Sequence, residues 1–390
     1  MPILPLDEQH LATALGLARA AVGLTSPNPT VGCVLAQGET VLGQGAHHYE
    51  TYDHAEIVAL KQAESLGHSV HGATAYVTLG PCSHHGRTGP CSDALIAAGI
   101  ARCIVATVDP NPLVSGSGIA KLRAAGIETL VFDPASPLAL EARTLNAAFA
   151  FFIQHKRPFV TLKAALSVDG KLAPPNSERT GAAPHWVTGP SARASVQPLR
   201  HAADAILTGI GTVLADNPSL TDRSGLPRRR PLLRIVLDSE LRIPLDSTLL
   251  NTAADDLLIV CSNEAPLAAE YERIALGAQL LRIHPRNGRL DLHPILAALA
   301  ARNIQSVLVE AGAAINGALL HANLVDKLVL YYSEREFGLD GIPFATNYES
   351  PYIVQQRLTR TTHETFPNAA TTDIRITGYL HDPWSGIAVP

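Results

Sequence analysis

His54-Ala55-Glu56, followed by Pro81-Cys82-Ser83-His84-His85-Gly86-Arg87-Thr88-Gly89-Pro90-Cys91, is the stretch on which the reading of this chain turns. It offers three soft or borderline metal ligands, His54, Cys82 and Cys91, and one carboxylate, Glu56, that is not needed as a ligand. Zinc takes His and Cys ligands and, in catalytic sites, keeps a fourth position for water. Glu56, two residues after the histidine, can carry that water's proton. The competing reading is a closed structural zinc site, and the lack of an obvious fourth ligand argues against it. His54 and Glu56 are expected at the start of a helix over 54–66. Cys82 and Cys91 each open a turn or helix after a strand, where backbone N–H groups and the helix dipole favour a thiolate.

Outward from this stretch, strands alternate with helices. An amphipathic helix over 7–23 is broken by Ser26-Pro27-Asn28-Pro29, and strands are expected at 30–35, 40–45, 73–79, 102–108 and 127–132. Pro90 suits the first position of a helix ending before Gly99. One linking helix is expected over 137–155, with a domain boundary at His155-Lys156-Arg157-Pro158. A second alternating set follows, with strands at 159–162, 205–208, 233–237, 257–261, 279–283, 306–309 and 327–332, and helices at 190–202, 292–302 and 315–323. Such alternation predicts α/β sheets covered by helices. No internal repeat is found, so the two halves are expected to be different folds. Arg228–Arg230 reads as a solvated basic loop.

With 390 residues, 46% hydrophobic and 17% charged, two domains are favoured and each can bury a core. A net charge of −5, from 30 basic and 35 acidic residues, gives no bulk electrostatic grip on nucleic acid. Any anionic substrate must be held by a few placed arginines. Five cysteines spread along the chain suggest no disulfide framework, and two of them belong to the metal motif, which points to a reducing cytoplasm. Cys33, Cys103 and Cys261 read as small buried hydrophobes. No signal peptide and no apolar run long enough to span a membrane is found.

His-x-Glu followed by Pro-Cys and a second Cys is the pattern of zinc-dependent deaminases of nucleobase-like rings, in which Cys-x-x-Cys is usual. Here eight residues separate Cys82 from Cys91. That long loop, together with Ser26-Pro27-Asn28-Pro29-Thr30-Val31-Gly32, His47, Asp109-Pro110-Asn111-Pro112 and Gly116-x-Gly118, resembles the deaminase half of the bifunctional riboflavin-biosynthesis deaminase/reductase family. The resemblance implies a cytidine-deaminase-like α/β/α domain over 1–150. It makes His54, Cys82 and Cys91 zinc ligands and Glu56 the catalytic proton carrier. Asn28 would hydrogen-bond the substrate, Arg87 would meet its phosphate, and His47 and His84 would line the pocket. Two positions depart from the family pattern: Gly80 stands where Glu usually precedes Pro-Cys, and Thr51 stands where Gly is usual.

The second half is similar to the reductase domain of the same family, whose fold is like that of dihydrofolate reductase. The resemblance is carried by Leu162-Lys163-Ala164-Ala165-Leu166-Ser167-Val168-Asp169-Gly170, by Trp186–Arg193, by the long match over Ala205–Thr221, by Leu237-Asp238-Ser239 and by Val309-Glu310-Ala311-Gly312. It implies a reductase domain over 156–385 that uses NADPH. Cofactor contacts would come from Ala165, Trp186, Thr212, Asp216, Ser239 and the turn Gly312, Ala313, Ala314, Ile315, Asn316, Gly317, Ala318. Substrate contacts would come from Lys163, Arg200, Leu220, Arg223 and Glu310, with Pro184 at a position usually Ser. Asp169 is a further candidate for polarising the ribose. Gly209 and Gly211 allow close backbone approach, and N–H groups at the helix start after Gly312 can bind a pyrophosphate. Ala311 replaces a family Gly, which keeps the turn if its φ is negative.

The expectation is therefore a cytoplasmic bifunctional enzyme with Zn²⁺ and NADPH, acting on a small phosphorylated pyrimidine and engaging neither nucleic acid nor membrane. Its oligomeric state is left open. Three other readings are an active deaminase whose reductase-like half is only a scaffold, a nucleic-acid-editing deaminase, and a metal-stabilised binding module without activity.

Overall fold

Among the described residues of the first half, six helices cover a five-stranded sheet whose three central strands bury side chains on both faces. In the computed structural model, which describes residues 3–84, 89–112, 116–178, 186–348, 350–368 and 371–387, the strands are β1 (Gly32–Gln37), β2 (Thr40–Ala46), β3 (Thr74–Val77), β4 (Arg102–Val105) and β5 (Glu128–Val131). Their order is β2-β1-β3-β4-β5, with β1 antiparallel to both neighbours and β3, β4 and β5 parallel. The helices are α1 (Pro5–Ala20), α2 (Ala55–Ser65), α3 (Cys91–Ala97), α4 (Ser117–Ala124), α5 (Pro137–Leu145) and α6 (Ala147–His155). Along β1, Val34 and Ala36 pack with Leu11 and Leu15 of α1 and Ala139 of α5, while Cys33 and Leu35 pack with Ala59 of α2 and Leu95 of α3. A strand buried on both faces is what a helix-covered sheet requires.

The second half carries a nine-stranded sheet. Its elements, with short ladders included, are β6 (Phe159–Leu166), β7 (Lys171–Ala173), α7 (Pro190–Ala194), α8 (Val196–Ala202), β8 (Ala205–Gly209), α9 (Ile210–Asp216), β9 (Leu233–Leu237), α10 (Thr248–Asn251), β10 (Leu257–Ser262), α11 (Leu267–Ala275), β11 (Gln279–Ile283), β12 (Pro285–Arg286), β13 (Arg289–Leu290), α12 (Leu292–Ala301), β14 (Ser306–Val309), α13 (Ala313–His321), β15 (Lys327–Tyr332), β16 (Ile342–Pro343), α14 (Pro351–Gln355), β17 (Thr359–Pro367) and β18 (Thr372–Tyr379). The sheet runs β11-β10-β9-β8-β14-β6-β15-β18-β17, parallel from β11 to β15 and antiparallel from β15 through β17. Because β14 returns between β8 and β6, the strand order reverses there. Open parallel sheets bind ligands at such a crevice, outside the carboxyl ends of the strands.

Contacts divide the chain into two compact units. One contains residues 3–156, 227–230 and 383–387, and the other residues 157–226 and 231–382. Residues 383–387 therefore lie with the first unit, and the second ends at Asp382. Trp384, 4% exposed, packs against Ala150 and donates its indole N–H to the Arg143 carbonyl at 2.9 Å.

Three expectations fail here. The single helix over 137–155 is two, broken at Asn146, whose amide is taken by a distant strand entry: Oδ1 accepts from Thr30 N–H at 2.7 Å and Nδ2 donates to Thr30 O at 3.0 Å. The helix over 190–202 breaks at Ser195, whose hydroxyl donates to Ala192 O and meets Tyr331 Oη at 2.8 Å. The basic loop is not solvated at Arg229, which is packed into the first unit with its side chain 18% exposed.

Candidate functional site

The first site assembles at two helix starts. His54 is the residue before α2, in extended backbone (φ −74°, ψ 162°), and Glu56 lies in that helix's first turn, 3% exposed. Cys91 opens α3 behind Pro90 and is fully buried, and Cys82 is 8% exposed. One ligand atom from each of His54, Cys82 and Cys91 lies within 4.8 Å of the others, the one such group of three among the described residues. His54 Nδ1 is 3.2 Å from Cys91 Sγ and 3.5 Å from Cys82 Sγ, and Cys91 N–H donates to Cys82 Sγ at 3.3 Å. The Cys91 side chain and His54 hold the Cys82 thiol well below its ordinary value, which favours the thiolate a metal needs. One nitrogen and two sulfur donors, with no fourth protein ligand among the described residues, suit zinc at a site that keeps an open position. Burial pushes the Glu56 carboxyl up to about 7, against the opposing pull of His54. This is the range in which a carboxyl can both take and give a proton near neutrality.

Around this cluster, Asn28 Nδ2 is 3.0 Å from His47 Nε2, and His47 Nδ1 is 2.7 Å from the Asp53 carbonyl. The His47 ring stands edge-on to His54 at 5.5 Å between centroids. Asn28 and His47 are thus brought to the metal cluster, whereas His84 is exposed and Arg87 lies outside the described residues. A Cβ at Gly80 would meet Asp109 N at 3.3 Å and Ile119 Cδ1 at 3.6 Å. A carboxylate still serves this neighbourhood: burial, with Cys82 adding to it, raises Asp109 to about 6.

The second site is a cavity of about 840 Å³ at the carboxyl ends of β6, β8, β9 and β14. Of the residues expected at the cofactor, Ala165, Thr212, Asp216, Ser239, Gly312, Ala313, Ala314, Ile315 and Ala318 line it. Asn316 and Gly317 do not. Asn316 Nδ2 donates to Phe344 O at 2.9 Å, and Gly317 packs on the Thr346 backbone, where an added Cβ would sit 2.3 Å from Thr346 O. Trp186 lies elsewhere, 55% exposed, with the Arg193 guanidinium 4.7 Å from its ring. Gly211 leaves open space where a Cβ would point, and a Cβ at Gly312 would meet only Thr212 Oγ1 at 3.9 Å, so the wall is bare beside the first turn of α13. Ala311 is not among the residues with positive φ, so the turn tolerates its methyl.

Among the expected substrate contacts, Lys163 and Glu310 line the cavity. Glu310 is clamped by Arg200 (Nε–Oε1 2.8 Å, Nη2–Oε2 3.1 Å) and approached by Lys163 Nζ at 3.7 Å. Burial would raise its carboxyl, but Lys163 and Arg200 outweigh that and hold it below the ordinary value. Arg200 also donates to Thr221 O at 2.9 Å, tethering the loop that carries Leu220 and Arg223. Leu220 is buried with φ at 52°, an unusual backbone for leucine. Arg223 is exposed, its N–H held by Gln197 Oε1. Pro184 lies outside the described residues. Asp169 does not reach the cavity: it accepts from Phe337 N–H and Gly338 N–H at 3.2 and 2.9 Å. Arg242 and Arg289 on the cavity wall were missed by the sequence reading, although Arg242 follows the matched Leu237-Asp238-Ser239 by only three residues.

Comparison with known proteins agrees with this geometry. Residues 5–107 match the family described as the cytidine and deoxycytidylate deaminase zinc-binding region, and residues 158–369 match the RibD C-terminal domain. The chain is 40% identical to the riboflavin biosynthesis protein RibD of Actinobacillus pleuropneumoniae over 332 residues, 85% of each chain. It is 39% identical to that of Escherichia coli over 346 residues, 86% of this chain and 89% of that one. Among solved structures, the Thermotoga maritima diaminohydroxyphosphoribosylaminopyrimidine deaminase/5-amino-6-(5-phosphoribosylamino)uracil reductase superposes with a TM-score of 0.79 at 31% identity, covering 96% of this chain and 99% of that one. RibD of Acinetobacter baumannii gives 0.76 at 33%, with the same coverage. With a deaminase site in one unit and a reductase cavity in the other, the chain belongs to the RibD family of bifunctional riboflavin-biosynthesis deaminase/reductases.

Proposed function

We propose that residues 1–150 deaminate 2,5-diamino-6-(ribosylamino)pyrimidinone 5′-phosphate and that residues 156–385 reduce the ribosyl group of the product to ribityl. The observation that carries the first step is a buried, non-ligating Glu56 beside His54, Cys82 and Cys91. Zinc held by those three residues would supply the Lewis acidity that acidifies water at a hydrolytic centre. Glu56 takes a proton from the attacking water and returns it to the amine on the ring carbon. That carbon gains an oxygen as ammonia leaves, so the reaction consumes one water. Asn28, fixed by His47, orients the ring, and Arg87 meets the phosphate.

In the second step the chain supplies position and charge. NADPH bound in the cavity would supply the hydride to the ribose C1′ carbon in its opened-chain imine form, where the C=N π electrons pass to the nitrogen and that nitrogen takes a proton from water. Ala165, Thr212, Asp216 and Ser239 would line its bed, and the N–H groups after Gly312 would bind its pyrophosphate. Lys163 and Glu310 face the reacting sugar, while Arg200 holds Glu310 and the loop bearing Leu220 and Arg223. The net charge of −5 gives no bulk grip on nucleic acid, which supports a small-molecule substrate, and no helix among the described residues is long and apolar enough to cross a membrane.

Removal of zinc by a chelator tests the division of labour. Ammonia release should stop and return on adding zinc, while NADPH consumption with supplied deaminated substrate continues. Ammonia release that survives complete loss of zinc would contradict the first step. Absence of NADPH consumption with that substrate would leave the second half as a scaffold.

A further inference from the structure

We propose that Arg229, in sequence part of the reductase half, is a positioning residue for deamination because it ties together the two turns that carry Asn28 and His47. The chain leaves the second unit at Leu226, places residues 227–230 in the first unit and returns at Pro231. There, Arg229 N–H donates to Gly23 O and its Nε to Ser26 O, both at 2.9 Å. Its guanidinium carbon stands 4.1 Å from the centre of the Tyr49 ring, and Nη1 is 3.3 Å from Glu50 Oε1. Arg230 Nη2 adds a hydrogen bond to Ser26 Oγ at 3.1 Å.

The points touched are Gly23 and Ser26 on one turn and Tyr49 and Glu50 on the other. Each turn delivers one member of the Asn28–His47 pair: Asn28 follows Ser26 by two residues, and His47 precedes Tyr49 by two. The turns are themselves joined by Tyr49 N–H donating to Leu24 O at 3.0 Å. A planar guanidinium can stack on a ring and donate in its own plane at once, and an ammonium cannot do both. The strap fixes the spacing on which the Asn28–His47 hydrogen bond depends, and it contacts neither the metal ligands nor Glu56. The inference rests on the proposed role of Asn28 in holding the substrate ring.

The test uses full-length, zinc-loaded protein. Arg229→Ala should raise KM for the diaminopyrimidine substrate roughly tenfold, the loss expected for a misplaced hydrogen-bond donor, with kcat changed far less. Arg229→Lys should recover only part of that loss. Zinc content and NADPH-dependent reduction of supplied deaminated substrate should stay at the wild-type level. In an Asn28→Ala background, Arg229→Ala should add little, because residues acting as one unit are not additive. An unchanged KM in Arg229→Ala, a loss of zinc, or a parallel fall in both activities would overturn the strap's role. If Asn28→Ala alone leaves KM unchanged, the assignment of Asn28 is at fault and the inference falls with it; if Asn28→Ala raises KM and Arg229→Ala adds its full effect on top, only the strap is wrong.

Discussion

Glu310 sets the charge balance of the reductase cavity. Its carboxylate is shared by Arg200 and Lys163, so neutralising it leaves two cations facing a largely desolvated site. Glu310→Gln is therefore expected to lower stability of the second unit by about 3 kcal/mol and to cut reductase kcat/KM at least tenfold, with ammonia release unchanged. Urea unfolding with the two activities measured side by side checks this. At the residue scale the sequence was informative wherever chemistry dictates type and spacing, as at His54, Glu56, Cys82 and Cys91. It was poorer where a role depends on a partner far along the chain. Asp169 looked catalytic but caps Phe337 and Gly338, and Asn316 looked like part of a cofactor turn but faces Phe344. Neither direction is written in the local pattern.

Elements were readable to the extent that their own periodicity decides them. The strands over 233–237, 279–283, 306–309 and 327–332 are found where expected because they are short apolar runs bounded by turns. The β17–β18 hairpin was not foreseen: all but one of the residues of β17 are exposed, so no inside–outside alternation marks it. Helix α1 is anchored by Asp7, 1% exposed, which accepts from Leu4 N–H at 2.9 Å, Tyr76 Oη at 3.0 Å and both terminal nitrogens of Arg102 at 3.3 Å. Burial alone would raise the Asp7 carboxyl, yet these bonds together bring it below its ordinary 3.8. A carboxyl lowered on folding stabilises fully above the unfolded value and loses that contribution as pH falls through the folded value. Asp7→Asn should thus cost about 1–3 kcal/mol at neutral pH. The difference from wild type should shrink as pH drops below about 3.8. Trp384 fluorescence in a Trp186→Phe background reports on the first unit alone, since the chain has 2 tryptophans. A pH-independent difference would remove Asp7 from the account.

At the scale of the whole molecule, the two α/β units and the change of fold near residue 156 followed from composition, alternation and the absence of a repeat. The excursion of residues 227–230 and the return of residues 383–387 to the first unit did not. Three arginines in a Pro-containing loop read as solvated, because the groups that receive Arg229 and Arg230 lie some 200 positions earlier. The resulting account assigns each activity to its own unit and its own chemistry, with Glu56 serving only the first. The most direct test is Glu56→Gln in the full-length protein, which keeps the shape of the buried side chain and removes its proton transfer. Ammonia release should fall by about two orders of magnitude or more, while zinc content and NADPH consumption with supplied deaminated substrate remain at wild-type level. Full ammonia release from Glu56→Gln would contradict the account.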